Sequence, residues 1–177
     1  ENRANINQAN EKGDTILMQT IQDNSRELFE EILKHQPNVN ATNKAGQTPL
    51  YLAAKQANTY YFIKLLTYNK NNDELETDPS KVVDLTRKYE NGKNILHLAA
   101  ENNSFKAESI SLIIDSGVEF DSEDNDGNIP LYYAVLSSAS EDVIKLLISL
   151  GSDPSHTNTK SRSAFSVASP EIAQILS

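Results

Sequence analysis

No cysteine occurs in this sequence, which excludes disulfides and thiolate metal sites and fits a reducing compartment. Long hydrophobic runs are missing too. Runs such as Leu146 to Ile148 fall far short of the roughly 20 apolar residues that span a bilayer, and no charged-then-apolar signal segment opens the chain. Cations are in the minority: 16 Lys and Arg stand against 25 Asp and Glu, a formal net charge of −9. Nucleic acid and acidic membrane surfaces are therefore disfavoured as partners. These absences predict a cytoplasmic or nuclear protein with no membrane insertion. The chain enters abruptly at Glu1 in polar sequence, so a segment of a longer protein with flanking domains is expected.

Signatures of catalysis are also wanting. Gly92-Lys93 lacks the upstream glycine and the following Ser or Thr of a phosphate-binding loop, and no GxGxxG follows a strand. No serine sits in a GxSxG elbow, and His35, His97 and His156 are far apart without ligand-spaced companions. Asp121 to Gly127 alternates acidic residues before a glycine as a calcium loop does. With Gly127 at the sixth position, however, the first ligand is Ser122 and the twelfth is Tyr133, which does not serve. The expectation is no enzyme, no metal and no cofactor.

What is present is repetition. Hydrophobic residues make up 38% and charged residues 23%, enough apolar material for a core. Gly13, Thr15 and Leu17 recur 33 residues later as Gly46, Thr48 and Leu50. Gly92 opens GKNILHLAAENN and Gly127 opens GNIPLYYAVLSS, variants of GQTPLYLAAKQA at Gly46. Each is followed by a second apolar stretch at helical spacing, for example Tyr61, Phe62, Leu65 and Leu66. Thr48 suits an N-cap and Pro49 the first helical position. Glycines at 13, 46, 92 and 127 suit a positive-φ turn. Helices of two to three turns are marginal alone, so they are expected to stack and bury one continuous core. Leu50, Leu65, Leu66, Leu96, Leu98, Ile113, Leu131 and Leu147 are the predicted core.

The period and the Thr-Pro-Leu-Tyr and Ile-Leu-His-Leu openings resemble the ankyrin repeat family. That resemblance implies an all-α solenoid of stacked helix-turn-helix units with hairpin fingers. Pro37-Asn38-Val39-Asn40 and Gly151-Ser152-Asp153-Pro154 resemble the family's connectors, and Ala4-Asn5-Ile6-Asn7 reads as the connector of a preceding repeat. One domain over 1–177 is expected, with repeats near 10–42, 43–69, 89–123, 124–157 and a degenerate last one at 158–177, where Ser161 replaces the glycine. Gly46 to Gly92 spans 46 residues, which places an insertion near 70–88. Its polar, acidic part from Lys70 to Pro79 is expected to be an exposed, mobile excursion whose deletion leaves the fold intact. His97 falls at the family's tetrapeptide histidine, which implies a hydrogen bond between neighbouring repeats; Tyr51 and Tyr132 replace it elsewhere.

Function follows from the resemblance: a module of a scaffold, adaptor or regulatory protein that binds another protein through its concave face and finger tips. Two other roles stay open, an inhibitor of an enzyme like the ankyrin inhibitors of cyclin-dependent kinases and a structural spacer. Carried onto this chain, the outward-facing binding residues are Lys12, Lys44, Gln47, Lys55, Gln56, Tyr89, Glu90, Lys93, Glu101, Asn102, Asp126, Asn128 and Leu136. Tyr89 and Leu136 are apolar where the family is commonly polar, which marks them as anchors.

Overall fold

Helix starts are written in the sequence as oxygen-bearing side chains just ahead of apolar runs. The structure, a computed structural model, describes residues 5–68 and 78–177. Thr48 Oγ1 accepts the amide of Tyr51 at 3.1 Å with Pro49 in the first turn, and Thr15 does the same for Met18 at 3.4 Å. Asn94 and Ser163 close capping boxes with His97 and Ser166. Each such cap satisfies an amide that the helix itself leaves free.

The chain divides into two compact units, Glu1–Asp84 and Leu85–Ser177. The first contains α1 (Ile16–Gln22), α2 (Arg26–Lys34), α3 (Pro49–Lys55) and α4 (Thr59–Tyr68). The second contains α5 (Ile95–Glu101), α6 (Ala107–Asp115), α7 (Pro130–Leu136), α8 (Glu141–Ser149), α9 (Ala164–Val167) and α10 (Pro170–Leu176). Odd-numbered helices are the first members of helix-turn-helix pairs and even-numbered helices the second. Within the first unit α3 packs on α1; within the second α7 packs on both α5 and α9, and α8 on α6. The described residues form no β-sheet, only an isolated bridge between Ala9 and Thr15 at the base of one finger.

All eight predicted core residues are buried, none more than 3% exposed. Buried in the first unit along with Leu65 and Leu66 are Phe29, Ile32, Tyr61 and Phe62, with the Phe29 and Tyr61 rings edge to face at 4.7 Å. Burial of this kind is the main favourable contribution to a short helix pair. Truncating Leu66 to alanine is expected to cost about 2–5 kcal/mol, measured as a lower urea midpoint at an unchanged slope. A midpoint equal to that of the parent would refute the helix register.

The fingers at Gly13, Gly46, Gly92 and Gly127 turn on a positive-φ glycine. Gly13 has φ +83°, and a Cβ there would sit 2.8 Å from the backbone nitrogen of Lys44 in the next finger, so glycine is required for conformation and for space. Ser161 takes up the same turn at φ 54°, which a residue with a Cβ does only at an energetic cost.

The predicted excursion lies almost wholly at residues 69–77, outside the described residues. The rest of the insertion is folded. Asn40 Nδ2 donates to the carbonyls of Pro79 and Val82 at 2.8 and 2.6 Å, Val39 N donates to Ser80 O at 2.9 Å, and Val83 is 5% exposed. The chain from Pro79 to Asp84 is thus bound to the Asn38–Asn40 connector.

Candidate binding face

The fingers are organised by one side chain that sequence reasoning passed over. Three residues before the turn glycine, or before Ser161, stands Asn10, Asn43, Asp124 or Asn158. In each case Oδ1 accepts two amides, two and four residues ahead: Lys12 and Asp14, Ala45 and Gln47, Asp126 and Asn128, Lys160 and Arg162, all at 2.9–3.0 Å. Asx side chains fold a tight turn in this way. The signal was an Asn or Asp at a fixed offset from the glycine. Tyr89 occupies the same place in the remaining finger, where backbone bonds form the turn, Tyr89 N to Lys93 O at 2.8 Å and Gly92 N to Tyr89 O at 3.0 Å.

Neighbouring fingers are tied by their backbones. In the first unit Lys44 N donates to Lys12 O at 3.0 Å; in the second Asn125 N donates to Asn91 O at 2.8 Å and Thr159 N to Asp126 O at 2.9 Å. Side chains add to this: Asn43 Nδ2 to Asp14 Oδ1 at 2.8 Å, Asn91 Nδ2 to Asp126 Oδ2 at 2.8 Å and Asn158 Nδ2 to Asn128 Oδ1 at 2.7 Å.

Most of the expected binding residues reach solvent. In the first unit Lys12 and Lys44 at the tips and Lys55 and Gln56 at the end of α3 are exposed, while Gln47 is half-buried. In the second, Glu90 is exposed, and Tyr89, Glu101, Asn102 and Asp126 are half-buried. Leu136 is 55% exposed at the end of α7. Nine residues after the turn glycine, it takes the place held in the other repeats by Gln22, Lys55 and Glu101.

Lys93 and Asn128 are corrections. Both are buried, at 8% and 5% exposure, and point into the second unit rather than out of it. Lys93 Nζ lies 3.0 Å from Glu101 Oε2 and 4.1 Å from the centre of the Tyr133 ring, where ion pair and ring face together stabilise a partly desolvated ammonium. Asn128 is held by Asp124, whose carboxylate also accepts the Tyr133 hydroxyl at 2.6 Å. Burial pushes the Asp124 carboxyl up, but the hydrogen bonds from Tyr133 and Asn128 outweigh it and keep it below the usual carboxylate range. Burial, and then the neighbouring carboxylate, raise the Tyr133 phenol. The acidic stretch that resembled a calcium loop is thus anchored by a carboxylate turned inward. His97 sits where the repeat pattern placed it: fully buried, its Nε2 donates to Asn128 O of the following repeat at 3.0 Å.

Stacked helix pairs with asparagine-folded, glycine-turned fingers are what the ankyrin pattern specifies, and the comparisons agree. The family model for ankyrin repeats in three copies matches residues 2–78 and 75–158. The chain belongs to the ankyrin repeat family. It is similar to an ankyrin repeat protein of Rickettsia bellii (strain RML369-C), 32% identical over 99 residues, which is 56% of this chain and 16% of that relative. The chain therefore spans a small part of the length of the relative it matches. Ankyrin repeats are in general protein–protein interaction modules without catalytic activity.

Proposed function

We propose that this ankyrin chain is the interaction module of a larger scaffold, adaptor or regulatory protein of the cytoplasm or nucleus, and that its fingers and first helices contact the partner. Leu136 carries the assignment to this face. A leucine 55% exposed at a place that is polar in three other repeats leaves apolar surface in water, whereas at an interface it becomes an anchor. On the neighbouring α5, which packs on α7, the equivalent place is Glu101, paired with Lys93 at 3.0 Å and followed by the half-buried Asn102, in keeping with the apolar centre and polar rim of binding surfaces.

The test is affinity capture followed by titration with the captured protein. Leu136→Ser is expected to weaken binding by about 2 kcal/mol, roughly 30-fold, with the melting temperature nearly unchanged. Lys145→Ala on the second-helix face breaks only a surface ion pair with Glu141 and is expected to leave binding intact. Glu30 is unsuitable as a second-helix control, because it accepts the Tyr60 hydroxyl and pairs with Lys64 at 2.7 Å. Loss of binding in Lys145→Ala together with full binding in Leu136→Ser would refute the assignment.

A further inference from the structure

Of the asparagines in the chain, only Asn91 is followed by glycine. A glycine nitrogen has no neighbouring side chain to shield it, so it is the backbone amide that most readily attacks a preceding asparagine side chain. The fold favours this pair. The turn of the Tyr89 finger passes through a left-handed residue, Asn91 at φ 56° and ψ 26°, a conformation that asparagine tolerates better than most. Gly92 follows at φ 72°, and a Cβ on it would collide with the Asn125 side chain of the next finger. Asn91 is exposed to water.

Both reacting groups are engaged while the finger is closed. Asn91 Nδ2 donates to Asp126 Oδ2 at 2.8 Å and lies 3.4 Å from Asp124 Oδ2, and Gly92 N donates to Tyr89 O at 3.0 Å. Asn91 O accepts the Asn125 amide at 2.8 Å, so side chain and main chain of one residue clamp this finger to the following one. The bond to Tyr89 O has to break before the Gly92 nitrogen can reach Asn91 Cγ.

We propose that Asn91–Gly92 is a self-modifying charge switch: water deamidates Asn91 when the finger opens, and the product carboxylate faces the acidic pair that held the amide. The Gly92 nitrogen gives its proton to solvent and bonds to Asn91 Cγ; the Cγ–Nδ2 bond breaks and ammonia leaves. Water then opens the five-membered imide. Cleavage of its Cγ–N bond leaves aspartate at 91, and cleavage at the main-chain carbonyl leaves isoaspartate, with the chain running through Cβ and Cγ. In sum, one amide and one water give one carboxylate and one ammonium. Aspartate sets a like charge against Asp126 where a donor stood, and isoaspartate also takes the carbonyl that bonds Asn125 out of the main chain. Each product disfavours closure of the finger. Tyr89, Glu90 and Asp126 belong to the face proposed for the partner, so the new charge appears there; that consequence rests on the proposed face, whereas the chemistry does not.

The experiment incubates the whole chain at slightly alkaline pH, folded and in urea above its unfolding midpoint, and follows the mass of the tryptic peptide Tyr89–Lys93. Conversion is expected to run about tenfold or more faster in urea than in the folded chain, as for a reaction gated by local opening. Asp126→Ala removes the carboxylate that holds Nδ2 and is expected to raise the folded-state rate about threefold or more. Asn91→Gly keeps the turn and is expected to abolish the mass gain. Asn91→Asp sets the product charge in place and is expected to lower the melting temperature by about 2–4 °C, with at least half of that loss restored when Asp126→Asn is added. Equal rates in the folded and unfolded chain, a folded-state rate unmoved by Asp126→Ala, or Asn91→Asp melting with the parent overturns the proposal.

Discussion

Replacing Asp124 with alanine is expected to cost about 2–6 kcal/mol, since each buried donor left without its acceptor costs about 1–3 kcal/mol. Two side-chain donors lose their acceptor, the Tyr133 hydroxyl at 2.6 Å and Asn128 Nδ2 at 3.1 Å, and the amides of Asp126 and Asn128 lose the oxygen that folds the finger. Asp124→Asn keeps one carbonyl oxygen for the two amides and gives up the charge, so it is expected to lie between the parent and the alanine variant. Urea unfolding at pH 7 measures the series. If alanine and asparagine are equally mild, the network contributes little and the finger stands on its backbone bonds alone.

Acidification from pH 7 to pH 4 is expected to remove about 3 kcal/mol through His97 alone. Burial is the main cause: it disfavours the charged imidazolium and pushes the pKa down from 6.5 to about 4, while the bond to Asn128 O acts in the opposite direction. Because the folded value lies below the unfolded one, the contribution is complete above about pH 6.5 and fades as pH falls toward 4. The group protonates more readily unfolded than folded, so acid favours unfolding. Unfolding free energies of the parent and His97→Gln across this range separate the histidine from the carboxylates. A parallel pair of pH profiles would show that His97 does not titrate differently on folding.

The core and the helix starts were legible because both are local. Apolar spacing names Leu50, Leu66, Leu98 and Leu147 without reference to neighbours, and Thr48 with Pro49 announces a helix in two residues. Lys93 and Asn128 were misread for the opposite reason. Nothing in their spacing tells that a lysine after a turn glycine will reach Glu101 and the face of Tyr133, or that an asparagine one repeat later will turn toward Asp124; those partners meet only once helix pairs stack. Asn10, Asn43, Asp124 and Asn158 form an intermediate case. Their offset from the turn was readable, and Tyr89 stands out as a substituted turn-former as much as an apolar surface residue.

The fingers hold one another by amide and carbonyl groups: Lys44 to Lys12, Asn125 to Asn91, Thr159 to Asp126. Every amino acid except proline brings the same donor and acceptor. The backbone share of their alignment is therefore independent of residue identity, and charge can differ between tips, as lysine in one finger and aspartate in another already illustrate, without loosening the backbone bond beneath. Such a surface can acquire a new specificity through single substitutions, each selected for recognition alone while the scaffold stays constant.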